Sequence, residues 1–278
     1  MKKIVFTLTM LLFVSMALNA QTKEKIKGSR EVVKSYKVID SFNRLVLGDD
    51  IEVRLLRSDE PAIEITADDN LIDVIAVTNY DGEMTIKTTM RIASYKTLKI
   101  TVFYTDALEA IMLKNEAEVH SDITLKFNDL TVVTQNESKV FLTVTADKFK
   151  ITHNDDSSAK LNVTAKQIAL ELNDNSKLEA LTTGDTIEID MLQRAEADIE
   201  GDTNNLELHV DNSCEFDGRR FTTKNAIVTA NNRAKINIEV NETLKLSAEG
   251  TSEVSIYGNP KIELEKFADE AILYKKKL

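Results

Sequence analysis

The chain has 278 residues, of which 42% are hydrophobic, 29% charged and 6% aromatic, with a formal net charge of −11 at neutral pH. That length can bury an ample core, while the acidic balance disfavours nucleic acid and anionic lipid as partners, since both are met through cationic patches. The single cysteine, Cys214, has no partner for an internal disulfide, so packing and hydrogen-bonded ladders must supply the stability.

Lys2 and Lys3 precede an apolar run from Ile4 to Met16, followed by Ala17-Leu18-Asn19-Ala20. A short basic segment, an apolar segment too short for a bilayer and a small residue before the cut describe residues 1–20 as a secretory signal peptide. No cysteine lies near the cut, so the expected product is exported to the periplasm or cell surface and is not a lipoprotein. Nothing later in the chain resembles a membrane helix, and no membrane insertion is expected.

Residues 21–30 are polar and charged and read as a flexible leader. Residues 31–107 hold short alternations such as Leu45-Val46-Leu47, Ile51-Glu52-Val53 and Ile63-Glu64-Ile65, with Asp81-Gly82 as a two-residue hairpin signal. This segment is expected to form antiparallel strands capping the remainder of the chain, because an uncovered end would expose strand edges and core.

From residue 108 to 273 the chain repeats. One aliphatic column runs Ile111, Val132, Ile151, Leu170, Ile189, Leu208, Ile227, Leu246, Leu264. A second runs Val119, Val140, Ala159, Leu178, Ala197, Phe216, Ile236, Val254, Leu273, with a small residue two places before each. The dominant period is 19 residues. Each unit holds two alternating segments, such as Leu206-Glu207-Leu208-His209-Val210, too little chain for a helical repeat of about 33 residues or a propeller blade of about 40. The expected fold is all-β: a parallel β-helix of about nine ~19-residue coils, each ~4.8 Å from the next. Handedness is not written in the sequence; the general bias of parallel crossovers favours a right-handed coil. Residues 274–278 form a short basic tail.

Between the two segments of each unit sits a polar knot containing, coil by coil, Asn115, Asn136, Asp155, Asp174, Gln193, Asn212, Asn231, Gly250 and Asp269. These residue types tolerate left-handed backbone and suit a corner, where stacked amides can form a ladder along the axis. Asp155 and Asp174 would then face each other across adjacent coils and repel. Asp155, Asp156 and Asp174 are also candidate calcium ligands, because the ion takes carboxylate oxygens.

The phrases SFNRLVLGDDIEVRL (residues 41–55) and SEVSIYGNPKIEL (252–264) enclose repeats around small polar knots. Between residues 41 and 273 the chain resembles the putative auto-transporter adhesin, head GIN domain family of exported Bacteroidetes proteins. Tyr257-Gly258-Asn259-Pro260 is the most specific element of the resemblance. It implies a β-helical fold and a cell-envelope setting. Members typically carry glycine-rich turns where this chain has Asn and Asp.

Catalytic chemistry finds few candidates. His120, His153 and His209 lie far apart in register, with no zinc-ligand spacing and no phosphate-cradling glycine loop around them. Cys214 occupies the small corner position, which points to burial rather than reactivity. The aromatic residues Tyr80, Tyr95, Phe103 and Tyr104 are the nearest thing to a cluster. The reading is a non-catalytic binding module or scaffold that meets an envelope or host glycan or protein and needs no cofactor. The alternative is a polysaccharide lyase or hydrolase using the acidic corner as paired carboxylates.

Overall fold

The computed structural model describes residues 23–277; the expected signal peptide lies outside the described residues. Side-chain alternation explains why the segments are strands. Ala159, Leu161, Val163, Ile168, Leu170 and Leu172 are buried, while Lys160, Asn162 and Thr164 between them are exposed. The alternation slips at the exposed pair Lys166-Gln167, where the chain bends from one face of the coil to the next. Repeating this pattern gives a nearly all-β solenoid of about nine turns, with its core along the axis.

The N-terminal segment differs from expectation in two ways. Residues 23–30, expected as a flexible leader, are held in place. Strand β1 (Lys25–Lys27) pairs in parallel with β8 (Arg91–Ser94). Lys23 meets Asp49 at 2.6 Å. Asp68, fully buried, accepts backbone N–H groups from Arg30 at 3.1 Å, Lys96 at 3.1 Å and Thr97 at 3.0 Å. Burial pushes its carboxyl up, but those three donors outweigh burial and hold it below the ordinary value. Gly28 is needed at this clasp, since a Cβ there would lie 2.0 Å from the Asp68 Oδ2.

The second difference concerns the cap. Antiparallel pairing is present: β5 (Ala62–Asp68) lies between β2 (Val32–Val38) and β9 (Leu98–Tyr104). Strands β6 (Ile75–Tyr80) and β7 (Glu83–Thr88) form the hairpin through Asp81 and Gly82, whose φ angles are 51° and 77°. The helical turn α1 (Asp69–Ile72) adds buried Leu71. However, β3 (Arg44–Leu47) and β4 (Glu52–Arg57) join the parallel ladders instead, beside β7 and β9 respectively. Their inward residues Leu45, Leu47, Val53 and Leu55 are apolar and fully buried, as a coil requires. The pair β7/β9, later in the chain, therefore forms the layer outside β3/β4.

On the other side of β3 and β4 come β10 (Ala110–Leu113) and β11 (Glu118–His120), then β12 (Leu125–Lys126) and β13 (Asp129–Thr134). Six long strands follow: β14 (Lys139–His153), β15 (Ser158–Leu172), β16 (Lys177–Met191), β17 (Glu196–Val210), β18 (Glu215–Ala230) and β19 (Lys235–Ala248). The last layer consists of β21 (Lys261–Phe267) on β19 and β22 (Ile272–Lys275) on β20 (Glu253–Tyr257).

One coil is longer. Strand β18 has 16 residues where β17 has 15, and the ladder between them slips at Asp198/Glu200, opposite Asp217 and Arg220. Everything after that bulge is displaced by one until the next coil shortens. Leu208 and Leu246 therefore both pair with Val228, which is 1% exposed, and Ile227, expected in the core, is 48% exposed. Leu264 holds its register opposite Leu246 but is 51% exposed, because no further coil covers it among the described residues.

Candidate functional site: a charged trough on the outer face

The polar corner is a row of left-handed residues. Asn115, Asn136, Asp155, Asp174, Gln193, Asn212, Gly250 and Asp269 have φ between 59° and 73°. In the long coil the left-handed residue is Asn232 (φ 58°) rather than the expected Asn231, for the same one-residue displacement. The ladder also differs from stacked side-chain amides. The Asn136 side chain accepts the Asn115 N–H at 3.2 Å, Asp155 accepts the Asn136 N–H at 2.7 Å, and Asp174 accepts the Asp155 N–H at 3.1 Å. Asp269 does the same for Gly250 at 3.1 Å. Each side-chain oxygen thus caps an N–H one coil back, a task that Asn and Asp perform alike.

The expected repulsion between Asp155 and Asp174 is offset by these backbone donors. Asp174→Asn keeps the acceptor and is expected to change stability by less than about 0.5 kcal/mol. Asp174→Ala loses it and strains a left-handed residue, costing about 1–3 kcal/mol. Urea denaturation of the two variants at neutral pH checks the contrast; equal losses would reject the backbone ladder.

As candidate calcium ligands, Asp155 and Asp174 each have one oxygen engaged with the backbone, and Asp156 accepts from the Asn175 side chain at 2.9 Å. Among the described residues, no three His, Cys, Asp or Glu side chains gather closely enough to hold a metal.

The histidines stay apart. His153 is fully buried, with Nδ1 2.5 Å from the Thr134 Oγ1 and 2.9 Å from the Ser157 Oγ. Its Nε2 has no partner among the described residues, and burial pushes the imidazole down to about 4. His209 lies 3.4 Å from Asp190 on the outer surface. His120 stacks on Phe141 with ring centroids 4.5 Å apart. Cys214 is buried, and burial pushes its thiol up to about 11, which disfavours the thiolate. The aromatic residues do not cluster: Tyr104 is buried against Phe127, Phe103 meets Tyr36, and Tyr80 and Tyr95 are 85% and 53% exposed.

What the structure does assemble is a trough on the outer face of the first half of the long strands. The register stacks His120, Phe141, Lys160, Glu179, Asp198 and Asp217 in one outward column. Beside it run Lys139, Ser158, Lys177, Glu196 and Glu215. Two adjoining hollows of about 450 and 500 Å³ lie along these columns and share Phe141, Lys160, Glu179 and Asp198. The charges are paired across coils: Lys160 with Glu179 at 2.9 Å and Lys177 with Glu196 at 3.1 Å, all four side chains more than half exposed.

The bulge in β18 lies beside the trough, with Asp217 lining one hollow and Arg220 the other. Gly218 is required there, because a Cβ would lie 2.6 Å from the Phe216 ring. Arg219 clamps Asp217 through Nε at 2.8 Å, and this guanidinium holds the Asp217 carboxyl below its ordinary value despite partial burial. Arg220 reaches back to Glu200 at 2.6 Å and lines the second hollow with Asn162 and Leu181. Exposed ion pairs of this kind contribute about 0–1 kcal/mol to stability. A ligand can therefore exchange them at little cost, and Lys160, Lys177 and Arg220 offer donors beside the apolar Phe141 and Leu181. The residue pattern does not reveal this site. Its one trace in the sequence is the 20-residue step from Phe216 to Ile236 among steps of mostly 19.

Fold and outer face define a β-solenoid of the adhesin-like class. Residues 41–183 and 162–260 match the family described as "Putative auto-transporter adhesin, head GIN domain", and the chain belongs to that family. In fold it is similar to a "putative adhesin" of Parabacteroides distasonis ATCC 8503, at 15% identity and a TM-score of 0.63 over 91% of this chain and 98% of the other. A "putative lipid binding protein" of the same organism matches with the same identity and TM-score, over 91% of this chain and 100% of its own. A "putative adhesin" of Parabacteroides merdae ATCC 43184 matches at 16% identity and a TM-score of 0.54, over 91% and 99% of the two chains. Among curated proteins, none matches the chain. No helix of the described residues is long and apolar enough to cross a membrane.

Proposed function

We propose that the protein is an exported, non-catalytic binding module of the cell envelope or surface, freed from a signal peptide at residues 1–20. It meets an envelope or host glycan or protein through the trough around Phe141, Lys160, Lys177, Glu179, Asp198 and Arg220. Membership of an adhesin family supports the reading, and the observation that carries it is the pair of adjoining hollows on one outer face, lined by exchangeable charges and an aromatic ring. The corner carboxylates serve the coil-to-coil ladder in this reading.

The test uses the mature chain on panels of envelope glycans, host glycans and surface proteins. Binding without turnover is expected, weakened by added salt and reduced about tenfold by Lys160→Glu or Arg220→Glu, the loss of about 1.4 kcal/mol. Release of unsaturated sugars or reducing ends from uronic-acid or neutral polymers, abolished by Asp155→Asn or Asp174→Asn, would replace this reading with the carbohydrate-active enzyme. Binding that ignores the trough substitutions would move the site elsewhere.

A further inference from the structure

A hollow of about 910 Å³, larger than either trough hollow, lies where the small sheet β1/β8 faces the polar corner. It shares no lining residue with the trough, and its volume is that of a small-molecule site. Its base is fixed. Lys23 meets Asp49 at 2.6 Å and donates to the Thr88 carbonyl at 2.6 Å, while Asp49 accepts the Thr88 N–H at 2.9 Å. With the Asp68 clasp, these contacts hold β1 against the solenoid.

The remaining charges are sorted by wall. On the small sheet, Lys25 lies directly opposite Arg91 in the parallel ladder. On the corner, Asp50 and Glu116 follow the left-handed residues Asp49 and Asn115 of adjacent coils, about 4.8 Å apart. All four side chains are exposed and line the hollow. Among the described residues, none of the four has an ion-pair partner, and Glu24, also in the lining, pairs with neither cation. Like charges opposite each other in a ladder destabilise it. Along the trough the chain cancels such charges between coils, as in Lys160 with Glu179 and Lys177 with Glu196. Here cation stands beside cation and carboxylate beside carboxylate, and the two walls are too far apart to neutralise each other.

We propose that this hollow binds a small zwitterion, with its anionic group on Lys25 and Arg91 and its ammonium group on Asp50 and Glu116. Such a ligand relieves both repulsions at once, whereas a simple anion or cation relieves one and leaves the other. Arg91 suits the anion, since its planar fork holds a carboxylate or phosphate through two bonds. The required chemistry is an ammonium and a carboxylate or phosphate on one molecule. A short peptide with free ends and an aminophosphate headgroup both carry it.

The experiment is calorimetric titration of the mature chain with two zwitterions, trialanine and phosphoethanolamine. The single-charge controls are N-acetyl-trialanine and trialanine amide for the first, inorganic phosphate and ethanolamine for the second. Binding of at least one zwitterion is expected, about tenfold tighter than its own controls. Which zwitterion binds distinguishes the peptide from the headgroup. Arg91→Gln should remove the advantage over the forms lacking the anion, and Glu116→Gln the advantage over the forms lacking the ammonium. Lys37→Ser, on β2 outside the hollow, should alter neither. A second readout needs no ligand: Lys25→Thr should raise the melting temperature of the free chain at low salt, a gain that high salt removes by screening the repulsion. No zwitterion binding, equal binding of the single-charge forms, indifference to Arg91→Gln and Glu116→Gln, or no salt-dependent gain for Lys25→Thr would each overturn the proposal.

Discussion

Ile189→Ala is expected to destabilise the protein by about 2–5 kcal/mol, and Ile227→Ala by less than about 1 kcal/mol. The two residues occupy the same column when the repeat is read at its dominant 19-residue step. In the structure Ile189 is fully buried between Leu170 and Leu208, and its truncation leaves a cavity that the stacked coils cannot collapse. Ile227 faces outward, and the core position of its coil belongs to Val228. The chemistry of the two substitutions is identical, so the contrast reports burial alone. Chemical denaturation at neutral pH measures it, and equal losses would reject the bulge-shifted register.

Acid should weaken the fold through His153 well before most carboxylates titrate. Burial lowers this imidazole from 6.5 to about 4. Between those values the unfolded chain binds a proton that the folded chain refuses, so stability falls as pH drops through that window. The loss attributable to this group is about 2 kcal/mol by pH 5 and about 3 kcal/mol by pH 4, at 1.36 kcal/mol per unit. The groups at its Nδ1 are the neutral hydroxyls of Thr134 and Ser157, and its Nε2 has no partner among the described residues, so burial of the imidazolium charge outweighs what they supply.

His153→Leu places an aliphatic side chain between Thr134 and Leu172 in the same inward column, where Leu172 is already buried. That variant should lose about 2 kcal/mol less than wild type between pH 7 and pH 5. Denaturation curves of both proteins at the two pH values decide it. Parallel losses would mean that the pH dependence lies in the surface carboxylates. Glu118 and Asp217 are among these: their carboxyls are held low by Lys139 and Arg219 against burial, so their contribution is lost only in stronger acid.

Much of the architecture could be read directly from the residues. Alternation in segments such as Leu206–Val210 specifies which side chains go inward, because a strand presents successive side chains to opposite faces. The period specifies a stack, and Asn or Asp at each knot specifies a left-handed corner, since few other residues adopt that conformation without strain. These are local properties, carried by each coil on its own.

Three features were settled only by contacts between coils. The layer β7/β9 lies outside β3/β4 although it comes later in the chain, a choice made by long-range pairing that leaves no periodic mark. The extra residue of β18 could have been absorbed anywhere in its coil; the Gly218–Arg220 bulge takes it up where Phe216 leaves room for no Cβ, and this moved the core from Ile227 to Val228 and the corner from Asn231 to Asn232. The trough exists because hydrogen-bond register sets Phe141, Lys160, Glu179 and Asp198 above one another, residues that are 19 apart in sequence and adjacent in space. The sequence by itself determined the strand, the corner and the repeat, because burial and backbone strain act residue by residue. Tertiary structure alone decided the coil order, the shifted register and the outer site, because each depends on which coil donates the next hydrogen bond.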